Sequence, residues 1–197
     1  MIYLRNFFLL LTALTFLVSC DESNEVSEFD NWQQRNEAFI DSIAVVARAN
    51  VDGDWAVFLY DGLDPEKQWD NENYVYCKKL NDVESTRHPM YTDTVVVDYC
   101  GRLIPTKSYP AGFIFDSSYD GELDPSFDVP VKFSVRSTVN GFCTALQRMS
   151  AGSRWILYIP AALGYGAENV SGVPAFSTLI FDVNLVSFYP VGTAVPL

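Results

Sequence analysis

From residue 179 to residue 188 the chain alternates. Leu179, Phe181, Val183 and Leu185 are large and apolar, and between them stand Ile180, Asp182, Asn184 and Val186. A period of two puts the first set on one face of a β-strand and the second on the other. One face is thus aromatic and aliphatic, the other mixed. Thr94-Val95-Val96-Val97-Asp98-Tyr99-Cys100 is β-branched and bounded by Gly101, a second strand of the same kind. Shorter strands are predicted at 74–80, 113–116, 131–135 and 155–159. The spacing of Phe142, Ala145, Leu146 and Met149 predicts a short helix over 141–149, stopped by Ala151-Gly152. Several antiparallel strands around one short helix define an α+β domain.

A second helix is predicted over 30–49, capped by Asp30 with Gln33 three residues later. It carries Trp32, Phe39, Ile40, Ile43, Val46 and Ala47 on one face. One short helix gives a small interface, so this face is expected to pack on its own domain rather than form a dimer. The chain is expected to be monomeric. Residues 50–74 are rich in Asp, Asn and Gly, with a short apolar run at 55–60.

The chain has 197 residues and a single histidine, His88, in the polar stretch Ser85-Thr86-Arg87-His88-Pro89. That excludes a multi-histidine metal site, and any triad would need His88 itself. A loop histidine is the expected reading. With 13 Lys+Arg against 25 Asp+Glu the net charge is −12. This argues against nucleic acid, because phosphate contacts need clustered basic residues. No glycine-rich phosphate loop is present, and neither metal nor cofactor is expected. Aromatic residues are abundant: 4 Trp, 11 Tyr and 14 Phe.

The amino terminus reads as an export signal. Arg5 precedes an apolar run from Phe7 to Val18 that is shorter than the ~20 residues of a membrane span. Leu17-Val18-Ser19-Cys20 resembles the bacterial lipobox, which implies a signal peptide over 1–19, a lipidated Cys20 and attachment to a membrane. Asp21, Glu22, Glu25, Glu28 and Asp30 follow. An acidic run there resembles the surface-export signal of Bacteroidetes lipoproteins, and a solvated tether over 20–29 is the plainer alternative. The expected location is therefore the outer membrane, on its periplasmic face or at the cell surface. Cys77, Cys100 and Cys143 lie in apolar segments and are expected to be buried free thiols. A Cys77–Cys100 bridge between strands is the alternative.

Four segments carry the functional reading. They are Val97-Asp98-Tyr99-Cys100-Gly101-Arg102-Leu103, Phe115-Asp116-Ser117-Ser118, Gly141-Phe142-Cys143-Thr144-Ala145-Leu146-Gln147-Arg148-Met149, and Ile159-Pro160-Ala161-Ala162-Leu163-Gly164-Tyr165-Gly166. Val173-Pro174 and the strand through Phe181 follow them. In order and spacing they resemble the FKBP-type peptidyl-prolyl cis-trans isomerases. The resemblance implies a half-wrapped antiparallel sheet around a short helix, spanning about 74–190, with the N-terminal helix and a connecting segment over 30–73 and a tail over 191–197.

The resemblance also implies an apolar proline pocket. Tyr99, Phe115, Asp116, Tyr165 and Phe181 match its catalytic positions, and Val139, Phe142 and Val173 match substrate-binding ones. Phe142 stands where the family usually has a tryptophan, and the chain is shortened between Val135 and Ser137. No landmark of the family is evident over 117–130. A carboxylate directly after a core aromatic needs a partner, which singles out Asp116. Asp182, on the alternate strand face, is expected to be solvated or structurally paired.

The implied activity is prolyl isomerisation of exported polypeptides. The alternative is a non-catalytic or weakly active peptide-binding module at the cell surface.

Overall fold

The computed structural model describes residues 27–195. The export segment, Cys20 and residues 21–26 of the tether lie outside the described residues. The chain divides into two compact units, Met1–Asp30 and Asn31–Leu197. In the first, the described part is a turn in which the Asp30 carboxylate accepts a hydrogen bond from the Ser27 N–H at 3.0 Å.

The second unit carries the described helices and strands. In chain order they are α1 (Trp32–Ala49), β1 (Trp55–Leu59), β2 (Tyr74–Asn81), β3 (Thr94–Arg102), β4 (Ile114–Ser117), β5 (Val131–Ser134), α2 (Asn140–Leu146), β6 (Arg154–Ile159) and β7 (Leu179–Tyr189). Every pairing is antiparallel, in the order β1-β2-β6-β7-β3-β4, with β5 beside β4 along the same edge of β3. The α+β architecture agrees with the sequence reading. The strands predicted from 74 onward are present to within two residues. β1 was not expected as a strand. Its five residues are all half-buried, so it lacks the in–out alternation that marks β7.

The inner face of the sheet is the core. Val75 and Cys77 of β2, Val95 and Val97 of β3, Trp155, Leu157 and Ile159 of β6, and Val183 and Leu185 of β7 are buried there with Phe142, Ala145 and Leu146 of α2. Gly141 lets α2 come close, since a Cβ there would collide with the Ile159 side chain. The outer face over β1, β2 and the Tyr158 end of β6 is covered by α1. Ile40, Ala44 and Ala47 bury against Tyr76, flanked by Trp55, Val57 and Tyr158. Full burial of one such isoleucine is worth about 2 kcal/mol.

The helix therefore packs on its own domain, as expected. Its start differs from the reading. Asn31, not Asp30, holds the cap position, with φ 51° and no side-chain cap bond. Val46, expected on the buried face, is 51% exposed.

Cys77, Cys100 and Cys143 are free and buried. Cys77 lies on β2 and Cys100 on β3, with β6 and β7 between them. Three interstrand spacings amount to about 14 Å, twice the ~7 Å limit for a disulfide between Cα atoms. The bridge alternative is thereby excluded.

Candidate active site

At the open end of the inner face, β3 and β7 present Tyr99 and Phe181 in staggered register: Tyr99 opposes Val183, and Phe181 opposes Gly101. A Cβ at 101 would stand 2.6 Å from the Phe181 ring and 2.7 Å from the Phe115 ring. Glycine at this point is what lets the two rings meet over the strand. They do so edge to face, with centroids 5.4 Å apart.

β4 carries an irregularity here. Gly101 opposes Asp116 and Arg102 opposes Ile114, which leaves Phe115 as an extra, unpaired residue. Such a bulge breaks the pleat and re-aims side chains. Phe115 and Asp116, consecutive in sequence, consequently both reach the cleft's surroundings. Phe115 meets Phe181, while the Asp116 Oδ2 accepts the Tyr99 hydroxyl at 2.6 Å. Ser118 locks the Tyr99 backbone from β4's end. Its Oγ accepts from the Tyr99 N–H, and its N–H donates to the Tyr99 carbonyl, both at 2.9 Å.

Phe142, 3% exposed, is the floor. Its ring lies 4.9 Å from Phe181 and 6.5 Å from Tyr99, both edge to face. Val139 holds the cap position of α2 beside it. Tyr165 arrives from the loop between β6 and β7.

The cleft so formed holds about 300 Å³ and is lined by Tyr99, Asp116, Phe133, Val139, Phe142, Tyr165 and Phe181, with Ser137 and Thr138 beside Val139. Two expected residues are not among those lining it. Phe115 packs edge to face on Phe181. Val173 is buried in the core, its backbone paired with Val170.

Phe133 was missed. It opposes Val95 across β3 and so shares the inner face, 6.0 Å from Phe142 and 6.2 Å from Tyr99. The alternation of Val131, Phe133 and Val135 was its signal. Ser137 and Thr138 were also missed. They sit at a tight turn over Val135–Ser137, which Thr138 ends.

Burial pushes the Tyr99 phenol well above its ordinary value, and the hydrogen bond to Asp116 raises it further. Tyr165 is raised by burial and then by the Asp116 charge. Both hydroxyls therefore stay protonated donors through neutral pH. Tyr99 spends its proton on Asp116. The Tyr165 hydroxyl makes no hydrogen bond among the described residues. The Ser137 and Thr138 hydroxyls donate to the Ser134 and Val135 carbonyls, so neither is poised as a nucleophile. His88 is outside the cleft, its Nδ1 3.0 Å from the Met149 carbonyl oxygen. This site can hold an apolar ring and offer one hydroxyl to a carbonyl. It is not built to make or break a covalent bond.

The architecture is a half-wrapped antiparallel sheet over a short helix, with an aromatic cleft at its open end. The chain belongs to the FKBP-type peptidyl-prolyl cis-trans isomerase family, whose pattern matches residues 85–186. It is 36% identical over 110 residues to the outer membrane protein MIP of Legionella longbeachae, covering 55% of this chain and 42% of that one. To the peptidyl-prolyl cis-trans isomerase Mip of Coxiella burnetii it is 40% identical over 101 residues, 50% of this chain and 38% of that one. The crystal structure of FkpA from Escherichia coli superposes with a TM-score of 0.57 at 26% identity, over 83% of this chain and 64% of that one. The chain thus spans about two fifths of the length of the curated relatives it matches.

Proposed function

We propose that this protein is a peptidyl-prolyl cis-trans isomerase that assists the folding of exported polypeptides. The observation that carries the reading is the cleft itself: an aromatic floor, a Tyr99–Asp116 pair at 2.6 Å, and an unengaged Tyr165 hydroxyl beside them. Rotating a peptide bond costs 18–20 kcal/mol because amide resonance is lost. Before proline the cis form is populated, but exchange takes tens to hundreds of seconds.

No bond is made or broken in this reaction, so no nucleophile is needed. The twisted amide has lost resonance and the charge separation that goes with it. A dry aromatic cleft disfavours the planar, polar amide more than the twisted one, which is differential binding of the transition state. The prolyl ring enters over Phe142, between Tyr99, Phe133, Val139 and Phe181. Tyr165 donates to a substrate carbonyl. Asp116 holds the Tyr99 hydroxyl so that the ring stays upright as a wall. Phe115 keeps Phe181 in place, and Val173 holds the loop that bears Tyr165. With phenylalanine rather than tryptophan at the floor, the pocket stays apolar but offers no indole N–H.

We further infer a lipid anchor at Cys20 and an acidic tether that holds a monomeric domain off an outer membrane. The support is the lipobox-like Leu17-Val18-Ser19-Cys20 and the acidic run behind it. A relative whose own name is outer membrane protein agrees with an envelope location.

The test is a proline-peptide isomerisation assay with and without tacrolimus, on wild type and Tyr165→Phe. The expected result is a tacrolimus-sensitive rate, reduced about tenfold in the variant through loss of one charge-independent hydrogen bond. A folded protein with no rate above background would overturn the enzymatic reading and leave a peptide-binding module.

A further inference from the structure

The segment between β6 and β7 forms an arch with Tyr165 near one foot. The arch closes on itself: the Phe176 N–H donates to the Gly166 carbonyl at 2.7 Å, one residue from Tyr165. Phe176 makes this closure with φ 60°, backbone that L side chains rarely adopt. Something must therefore hold the far foot, Ser177-Thr178, in position.

Two side chains of α1 do so. The Trp32 Nε1–H donates to the Ser177 Oγ at 2.9 Å, and that hydroxyl donates on to the Pro174 carbonyl at 2.6 Å. The Thr178 N–H donates to the Asn36 Oδ1 at 2.7 Å, while the Asn36 amide donates back to the Trp32 carbonyl at 2.7 Å. Asn36 is 2% exposed and Thr178 1%. A buried amide is costly unless paired. Asn36 also interrupts an otherwise apolar stripe of Trp32, Ile40, Ala44 and Ala47. A helix that only packed would carry an apolar residue there. Close by, a cavity of about 160 Å³ separates α1 from the arch at Gly166 and Phe176. Side-chain packing thus leaves the arch room to shift, and the hydrogen bonds at its foot hold it.

We propose that Trp32 and Asn36 are positioning residues for Tyr165. Through the Ser177-Thr178 foot, α1 sets where the Tyr165 hydroxyl stands over the cleft. The inference rests on the isomerase reading only for its kinetic arm.

The test uses the full chain with Asn36→Leu and with Trp32→Phe, the latter deleting one N–H while keeping most of the ring surface. Amide hydrogen exchange is followed at Gly166, Phe176 and Thr178, and isomerase kcat and KM are measured in wild-type and Tyr165→Phe backgrounds. Asn36→Leu is expected to speed exchange at all three amides. It should lower kcat/KM about tenfold, because small misplacements of a positioned group are costly. In the Tyr165→Phe background it should lower it less than about twofold, as coupled residues are non-additive. Trp32→Phe should move in the same direction by less.

An equal loss in both backgrounds would mean a merely structural role, and unchanged exchange would mean that the foot is not held from α1. Either overturns the proposal. If the wild-type chain catalyses nothing, the isomerase reading falls and the exchange measurement alone decides the inference.

Discussion

Three aromatic–acid neighbours sit in the strands around the cleft: Asp98-Tyr99 on β3, Phe115-Asp116 on β4 and Phe181-Asp182 on β7. In the first and third, the pleat sends the aromatic to the front and the acid to the back. There each acid finds a structural partner. Asp98 accepts from the Asn184 amide at 3.0 Å, and Asp182 takes both arms of Arg154 at 2.8 and 2.9 Å. In the second, the bulge at Phe115 breaks the alternation and turns the acid toward Tyr99. The same dipeptide chemistry is thus structural on two strands and placed at the cleft on the third. One unpaired residue in the ladder makes the difference.

The strongest way to break this comparison is to deny the front its room while leaving the back alone. Gly101→Val puts atoms where the Phe115 and Phe181 rings now stand. Overpacking of this kind costs about 3 kcal/mol. The expected outcome is a lowered urea midpoint together with loss of proline-peptide turnover. A variant with wild-type turnover would show that the two rings need not meet.

A smaller pair of changes separates the faces. Arg154→Leu removes the partner of Asp182 on the back. The ion pair is 34% and 24% exposed at its two side chains. Its loss is expected to cost only about 1 kcal/mol after solvent screening, with kcat/KM within about twofold of wild type. Asp116→Ala should do the reverse. Being exposed at the rim, it should alter stability by less than about 0.5 kcal/mol while lowering kcat/KM. If the two variants behave alike, in unfolding and in turnover assays, front and back are not functionally distinct.

The alternation that sorts Phe181 from Asp182 is legible in sequence, because a period of two needs no knowledge of the partner strand. Likewise the helix over α1 follows from local spacing, whereas the aromatic floor at Phe142 was implied by the family resemblance. What was not legible depends on register. Phe115 counted as pocket wall, yet its place against Phe181 follows from a two-against-one pairing of β3 with β4. Phe133 lies on a four-residue strand, and only its pairing opposite Val95 brings it to the cleft. β1 lacks alternation, since α1 covers one side of it and the core the other. Asn36 is a polar residue within a helix, and nothing in its neighbours marks it. Its partner lies 142 residues away, beyond any local pattern. Asp30 fitted a capping spacing, but Asn31 takes up left-handed backbone and the cap is not formed.

The subtlest contrast between the faces is in their tyrosines. Tyr76, fully buried beneath α1 on the back, is pushed up to about 12 by burial, against the opposing pull of Arg48. Tyr99 on the front is raised by burial and then by Asp116. An unfolded phenol ionises near pH 10, so above that pH the unfolded chain releases protons that the folded one keeps. The stability held by these groups is therefore complete below about pH 10 and drains as pH rises toward 12, by at most ~1.4 kcal/mol per unit per phenol. Asp116→Ala removes two causes of the Tyr99 shift, the hydrogen bond and the charge, and none of those that act on Tyr76. Urea unfolding at pH 9 and at pH 11 should then show a slightly gentler alkaline loss in Asp116→Ala than in wild type. Tyr76→Phe should remove the back-face share whether or not Asp116 is present. An alkaline loss that ignores Asp116 would mean that its hydrogen bond does not hold the Tyr99 proton, and the front pair would lose its electrostatic basis.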